Sequence, residues 1–251
     1  MELLLGTLAL LAGLGVLFAG SDRRRGALAA AACVLLVAAG VRLYHPGGDG
    51  ELAAAVPAAR TDGGFTTSAT CRACHPGPYQ AWHESFHRKM TQVATPAAVQ
   101  GNFDGAVLRD QGFEWRLEKR GDEFWAEIPD PLWFLDDSPD KPPAPPRFAA
   151  RVVMTTGSHH QQKYWVRRPK EGAVYGDAPD NGALVQIPWV WLVDSRRWLP
   201  TRDAFLAPPI AGIESPAVWN SSCFACHSVA TQPHFDAEQV SFETESVELG
   251  I

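Results

Sequence analysis

The chain has 251 residues, of which 46% are hydrophobic, 20% charged and 10% aromatic, a balance that excludes a disordered tail or a low-complexity fibre. Its formal charge of −6 at pH 7, without any long basic stretch, argues against a nucleic-acid or polybasic lipid partner. The length allows one or two domains.

Residues 3–20 and 26–41 are uncharged apolar runs. At about 1.5 Å per residue each reaches most of the way across a hydrocarbon core of about 30 Å, and the flanks supply the rest. Between them SDRRRG is short enough only for a tight turn, and Arg23, Arg24 and Arg25 belong on the cytoplasmic side. The reading is a transmembrane α-hairpin over residues 1–45 with the remainder outside the cytoplasmic membrane. A cleaved secretory signal, with SDRRR as its cationic region, stays open as the alternative and exports the remainder to the same compartment. Cys33 falls inside the second run and reads as a small apolar residue.

Residues 46–64 are rich in Gly, Ala and Pro without a regular period, the composition of a tether. A folded domain is expected over 65–251. Tyr79, His83, Phe86 and Met90 follow helical spacing, which predicts a helix over 78–90 with Pro78 in its first turn. From about 106 to 205 the character is β. FEWRLEKRGDEFWAEI alternates large residues on both sides of Arg120-Gly121-Asp122, a hairpin signal, and ARVVMTT, QKYWVRR and LVQIPWVWLV add further strands. The prolines of 138–146 demand an extended loop. Seven tryptophans from Trp115 to Trp198, with Trp219 just beyond, suggest an aromatic core, some of which could wall a flat prosthetic group.

Four of the five cysteines fall in two copies of one pattern, Cys71-Arg72-Ala73-Cys74-His75 and Cys223-Phe224-Ala225-Cys226-His227. Two thiols three residues apart reach the two vinyl groups on one edge of a haem, and the next residue brings an imidazole under the iron. The expected cofactor is haem c, two copies covalently attached through Cys71, Cys74, Cys223 and Cys226, with His75 and His227 as proximal iron ligands. A zinc site built from the two Cys pairs is compatible with the spacing alone, and two disulfides are compatible with export, but neither accounts for both histidines.

Each iron then needs a sixth ligand. His83 and His87 lie four residues apart and, on one helix, project to the same side, so one of them is expected to cross to a neighbouring haem. His159 and His160, in a Gly-Ser-His-His turn between two strands, are candidates from the β region. Met90 is a weaker candidate whose thioether would raise the potential. His45 is set aside at the membrane edge, and His234 reads as solvated.

The run CRACHPGPYQAWHESFH, with Tyr79, Trp82, Ser85 and His87 after the first motif, resembles the multihaem cytochromes c of the tetrahaem and hydroxylamine-oxidoreductase-like kind. It looks closest to membrane-anchored members often joined to tetratricopeptide repeats. GSHHQQKYWV, the segment with Trp198 and Phe205, and WNSSCFACH are similar to the same group, so the likeness runs from about 66 to 251. The resemblance implies electron transfer by closely packed, mostly bis-histidine haems. Its Ser-x-His falls on Ser85 and His87 and its Gly-Ser-His-His on 157–160, giving His87, His159 and His160 as distal candidates. In similar proteins a stretch like FETESVELGI runs into another Cys-x-x-Cys-His, so this chain is expected to be a piece of a longer protein or a shortened product, with further haem or repeat modules beyond Ile251.

The sequence reading is thus an N-terminal transmembrane α-hairpin followed by an α+β c-type dihaem domain, with a β-rich insertion between the two haem motifs. Its expected function is a membrane-anchored carrier passing single electrons between redox proteins or quinol-linked donors and their acceptors, on the periplasmic side. The alternatives are a haem enzyme with one open iron acting on peroxide, nitrite or hydroxylamine, and a haem-based gas sensor.

Overall fold

The computed structural model describes residues 48–130, 133–134, 137–167, 180–204 and 217–251. The chain divides into two compact units, Met1–Gly50 and Glu51–Ile251. The hairpin expected over 1–45, with Cys33 and His45, lies outside the described residues, as does Phe205. No helix among the described residues is long and apolar enough to cross a membrane.

Within the stretch read as a tether, Gly48–Ala55 forms helix α1 and Ala58–Ala59 forms strand β1. Leu52 is buried against the domain. A 3-10 helix (Ser68–Ala73) and α2 (Pro76–His83) follow, with Pro76 early in α2, where a missing N–H costs nothing. The helix expected over 78–90 ends at His83. There the Ser85 hydroxyl accepts the Arg88 N–H, and a separate 3-10 turn (Arg88–Met90) begins before β2 (Thr91–Val93). A serine oxygen competing for backbone donors breaks the helix that apolar spacing alone would extend.

An antiparallel meander comes next, in the order β3 (Asp104–Asp110), β4 (Phe113–Arg120), β5 (Glu123–Pro129), β6 (Arg147–Thr156), β7 (Gln161–Arg167), β8 (Leu184–Leu192) and β9 (Arg197–Pro200). Arg120 pairs with Glu123 across the Gly121-Asp122 turn, and Gly121 has φ 61°, which a two-residue hairpin favours. β6 changes partner along one edge: Arg147 to Arg151 pair with β5, and Met154 to Thr156 pair with β2. Pro188 sits inside β8 where the register against β7 shifts, so the missing donor falls at an irregularity.

The period-two pattern decides what is buried. Trp115 and Leu117 of β4, Phe124, Ala126 and Ile128 of β5, and Tyr164 and Val166 of β7 turn to one core, with Phe103, Trp189 and Trp191. The opposite face of β6 to β8 carries a second core of Val153, Met154, Trp165, Leu184 and Trp219. Strands buried on both sides read as nearly continuous apolar runs, as LVQIPWVWL does. The sheet is nearly a barrel. Arg202, in α3 (Thr201–Ala204) just after the last meander strand, grips Asp110 of the first through both carboxylate oxygens.

The remaining chain forms a 3-10 turn (Trp219–Ser221), α4 (Phe224–His227), and the two-residue strands β10 (Ser228–Val229), β11 (Phe235–Asp236), β12 (Ser241–Phe242), β13 (Glu245–Ser246) and β14 (Glu248–Leu249). β10 pairs with β14, and β1 pairs in parallel with β13.

The expected architecture, an α-hairpin and an α+β dihaem domain, is corrected accordingly: the described chain is mostly β. Its helices have four to eight residues. Pro, Gly and Ser interrupt each helical segment within about two turns, whereas alternating aromatic and β-branched residues carry the strands from Asp104 to Leu192.

Candidate haem-attachment sites

Both Cys-x-x-Cys-His segments are closed by the same kind of backbone hydrogen bond, the first at the end of the 3-10 helix and the second over α4. The His75 N–H donates to the Cys71 carbonyl at 2.9 Å, and the His227 N–H donates to the Cys223 carbonyl at 3.1 Å. Over α4 a residue and the fourth after it lie on one side, so Cys223 and His227 share a face, whereas His75 follows the 3-10 helix with a non-helical backbone, φ −126° and ψ 57°. Each turn is followed or preceded by its own anchor: the Tyr79 N–H bonds the His75 carbonyl, and the Cys223 N–H bonds the Trp219 carbonyl.

The surroundings differ. Cys71, Cys74 and His75 are exposed, and no residue of the first 3-10 helix or of α2 is buried. Cys223, Phe224 and His227 are half-buried, and Cys223 and Phe224 pack on the Trp165 and Trp219 core. Burial lowers the His227 pKa from the usual imidazole range, and the Lys163 ammonium adds to the effect. His227 Nδ1 is buried and has no hydrogen-bond partner among the described residues.

Residues 248–251 join the two motifs. The Glu248 carboxylate accepts the Ser68 N–H at 3.1 Å and the Ser68 hydroxyl at 2.6 Å, immediately before the first motif. Glu248 and Leu249 also pair with Val229 and Ser228, immediately after the second. The Gly250 N–H then donates to the His227 carbonyl at 3.2 Å, the Ile251 N–H to the His87 carbonyl at 3.1 Å, and Trp82 Nε1 to the Ile251 carbonyl at 3.1 Å. An added Cβ at Gly250 would lie 2.2 Å from the Arg88 carbonyl oxygen, so only glycine fits between the two segments.

Of the distal candidates, His83 is exposed and stacks on Tyr79 at 5.4 Å between ring centroids. With α2 ending at His83, it does not share a helical face with His87. His87 is exposed, and its backbone meets Ile251 beside His227. The turn over 157–160 packs against the same segment: the Gly157 N–H bonds the Met90 carbonyl at 2.6 Å, and the His159 ring stacks on Phe86 at 4.1 Å and 4°. His160 stacks on His159 at 3.9 Å and lies 3.8 Å from Asp194. The fold thus brings the 85–90 segment, the 157–160 turn and the second motif together. His234 lies apart from these candidates, 3.3 Å from Glu245, in a cleft of about 520 Å³.

The four cysteines are free thiols. Among the described residues no three His, Cys, Asp or Glu side chains converge, so the two Cys pairs do not form a single zinc cage. Each motif instead keeps two free thiols and an imidazole within five residues, the donor set that a covalently attached haem would need.

Three features escaped sequence reading. Glu248 and Gly250 carry no local signal, because their partners are up to 180 residues away. Lys163 carried a weak one: in QKYWV it alternates with Trp165 and so shares that residue's face. No family model matches the chain, and no curated protein or solved structure is significantly similar to it.

Proposed function

We propose that the chain is a two-centre c-type cytochrome that carries single electrons outside the cytoplasmic membrane. Haem is attached through Cys71 and Cys74 and through Cys223 and Cys226, with His75 and His227 as proximal ligands and His87 and His159 as the leading distal candidates. The observation that carries this reading is that two motifs far apart in sequence are each closed by the same backbone hydrogen bond from histidine to first cysteine, with free thiols, and are tied together through residues 248–251. When bound, haem supplies one-electron exchange between ferric and ferrous iron.

The protein's own work is to hold and shield. The second turn presents thiol and imidazole on one side, the Trp165 and Trp219 core keeps water from its inner side, and Glu248 fixes the first turn. The net negative charge of the chain suits a cationic redox partner.

The test is the pyridine haemochrome spectrum and intact mass of protein produced in a host with cytochrome c maturation machinery. Two covalent haems per chain are expected; none overturns the proposal. Carbon monoxide added to the reduced protein is expected to leave the Soret band in place, and a shift would turn the reading toward an enzyme or a gas sensor with an open iron.

A further inference from the structure

We propose that the hairpin of β11 and β12 is the docking surface for a cationic partner protein, which covers Phe235 and Val240 inside a rim of carboxylates. The inference rests on the cytochrome reading above in one respect: that reading makes the partner a redox protein.

Of the six large apolar side chains that stand exposed among the described residues, Phe235 at 52% and Val240 at 58% belong to this one hairpin. Phe235 pairs with Phe242 across the ribbon, with ring centroids 4.9 Å apart, which holds the ring in place without covering it. Asp236 accepts the Glu238 and Gln239 N–H groups at 2.8 and 3.0 Å and so fixes the loop between the strands. Val240 has φ 51°, a left-handed backbone that glycine or asparagine adopts readily and a β-branched residue seldom does. Its carbonyl accepts Asn181 Nδ2 at 2.8 Å, and the Phe242 N–H donates to the Asn181 carbonyl at 2.7 Å, so the fold keeps the strained residue in position. Local stability favours neither the strain nor an isopropyl group held in water. An apolar partner surface gains from both, because the group it covers is fixed in advance.

The charge around these side chains selects the partner. From Asp203 to Ile251 the chain has seven Asp and Glu residues and no Lys or Arg. Asp236, Glu238, Glu243 and Glu245 fall on the hairpin or at its base. Glu245 lies beside His234 at 3.3 Å, whereas Glu238 and Glu243 are exposed and, among the described residues, no Lys or Arg pairs with them. An apolar centre within a rim of one sign is the layout of a steered, transient interface. Anionic lipid headgroups and a second copy of the same hairpin are repelled by it, which leaves a protein face rich in lysine or arginine.

The hairpin is also tied to the second motif. Ser228, directly after His227, has its hydroxyl 2.7 Å from the Phe224 carbonyl and 2.6 Å from the Thr231 hydroxyl, which lies 2.8 Å from that of Ser246. Gln232 and Glu245 exchange both backbone hydrogen bonds, at 2.8 and 2.9 Å, and close the hairpin's base. A partner seated on Phe235 and Val240 is thus held by the segment that carries Cys223, Cys226 and His227.

The experiment is a binding titration of the full chain, with both haems attached, against mitochondrial cytochrome c, a lysine-rich one-electron carrier, at low and high salt. Glu238→Lys should weaken binding by about tenfold at low salt and much less at high salt. Phe235→Ser and Val240→Gly should weaken it by about fivefold at both. Val240→Gly relieves the left-handed strain, so it should melt no lower than the parent while binding more weakly, which separates docking from folding. Asp122→Lys, an equal change of charge on the exposed β4–β5 turn, should alter binding by less than about twofold. An Asp122→Lys effect as large as that of Glu238→Lys, or full binding by Val240→Gly, overturns the inference, as does no binding by the parent. Binding of the chain to anionic phospholipid vesicles, or self-association that Phe235→Ser abolishes, assigns the hairpin to another occupant and overturns it too. The haemochrome count on the same samples decides the cytochrome reading independently: two haems without hairpin-dependent binding overturn only the docking surface, and hairpin-dependent binding without haem overturns only the cytochrome reading.

Discussion

Gly157 has φ 92°, and a Cβ placed on it would lie 2.2 Å from the Gln161 carbonyl oxygen, which belongs to the backbone and cannot swing away. Gly157→Ala is therefore expected to destabilise the domain by about 2 kcal/mol or more, read as a lower urea midpoint at unchanged slope. Because the residue opens the turn that carries His159 and His160, the same variant should disturb whichever of them serves as a ligand. At the edge of the sheet, the Arg202 guanidinium hydrogen-bonded to Asp110 holds that carboxyl below the ordinary carboxylate range. A depressed folded-state value means that the pair stabilises the fold above the unfolded-state value of about 4, and that this contribution disappears as pH falls through the lower folded value. Asp110→Asn should accordingly lower stability by about 1 kcal/mol at pH 7 and narrow the difference from the parent protein below about pH 4, as seen in thermal melts across pH.

At the scale of elements, β14 and the two residues after it connect regions that no local pattern connects. Glu248→Ala removes both acceptors of Ser68 while leaving the β10 pairing in place. The expected outcome is faster amide hydrogen exchange at Ser68 and in the turn that follows, with the 223–227 turn unchanged. The second motif depends on a different support. Trp219 is fully buried, and its carbonyl accepts the Cys223 N–H. Trp219→Ala should cost about 3–5 kcal/mol, measured by denaturant unfolding, and should reduce haem attachment at the second motif more than at the first.

For the molecule as a whole, the two motif turns are each closed by their own short-range hydrogen bonds, so each should accept haem without the other. Replacing Cys71 and Cys74 by serine is expected to leave one covalent haem per chain, and so is replacing Cys223 and Cys226, as counted by haemochrome and mass. The β meander between them supplies the scaffold. Strands β6 to β8 have a core on each face, one filling the curved sheet and the other seating the second motif. The sequence reading placed these strands, the Gly121-Asp122 hairpin, the proline-rich loop and the tryptophan core well, because period two and turn residues are local signals. It overextended the helix after the first motif, because His83, Phe86 and Met90 keep a helical spacing that a single hydroxyl at Ser85 interrupts. It also overestimated the helical share of the domain, because Cys-x-x-Cys-His needs only one turn and does not require a longer helix around it.

What the sequence by itself determined is the local donor set: the spacing of two thiols and an imidazole within five residues is covalent and short-range, and it stays the same in any fold that lets those residues form a turn. The tertiary structure decided how the two copies differ. Which turn lies on a buried core, which one faces solvent, and that a carboxylate 180 residues away caps Ser68 are all consequences of strand register and sheet curvature. Those contacts form between segments remote along the chain, where no periodicity or motif can record them, because packing and not spacing selects the partner.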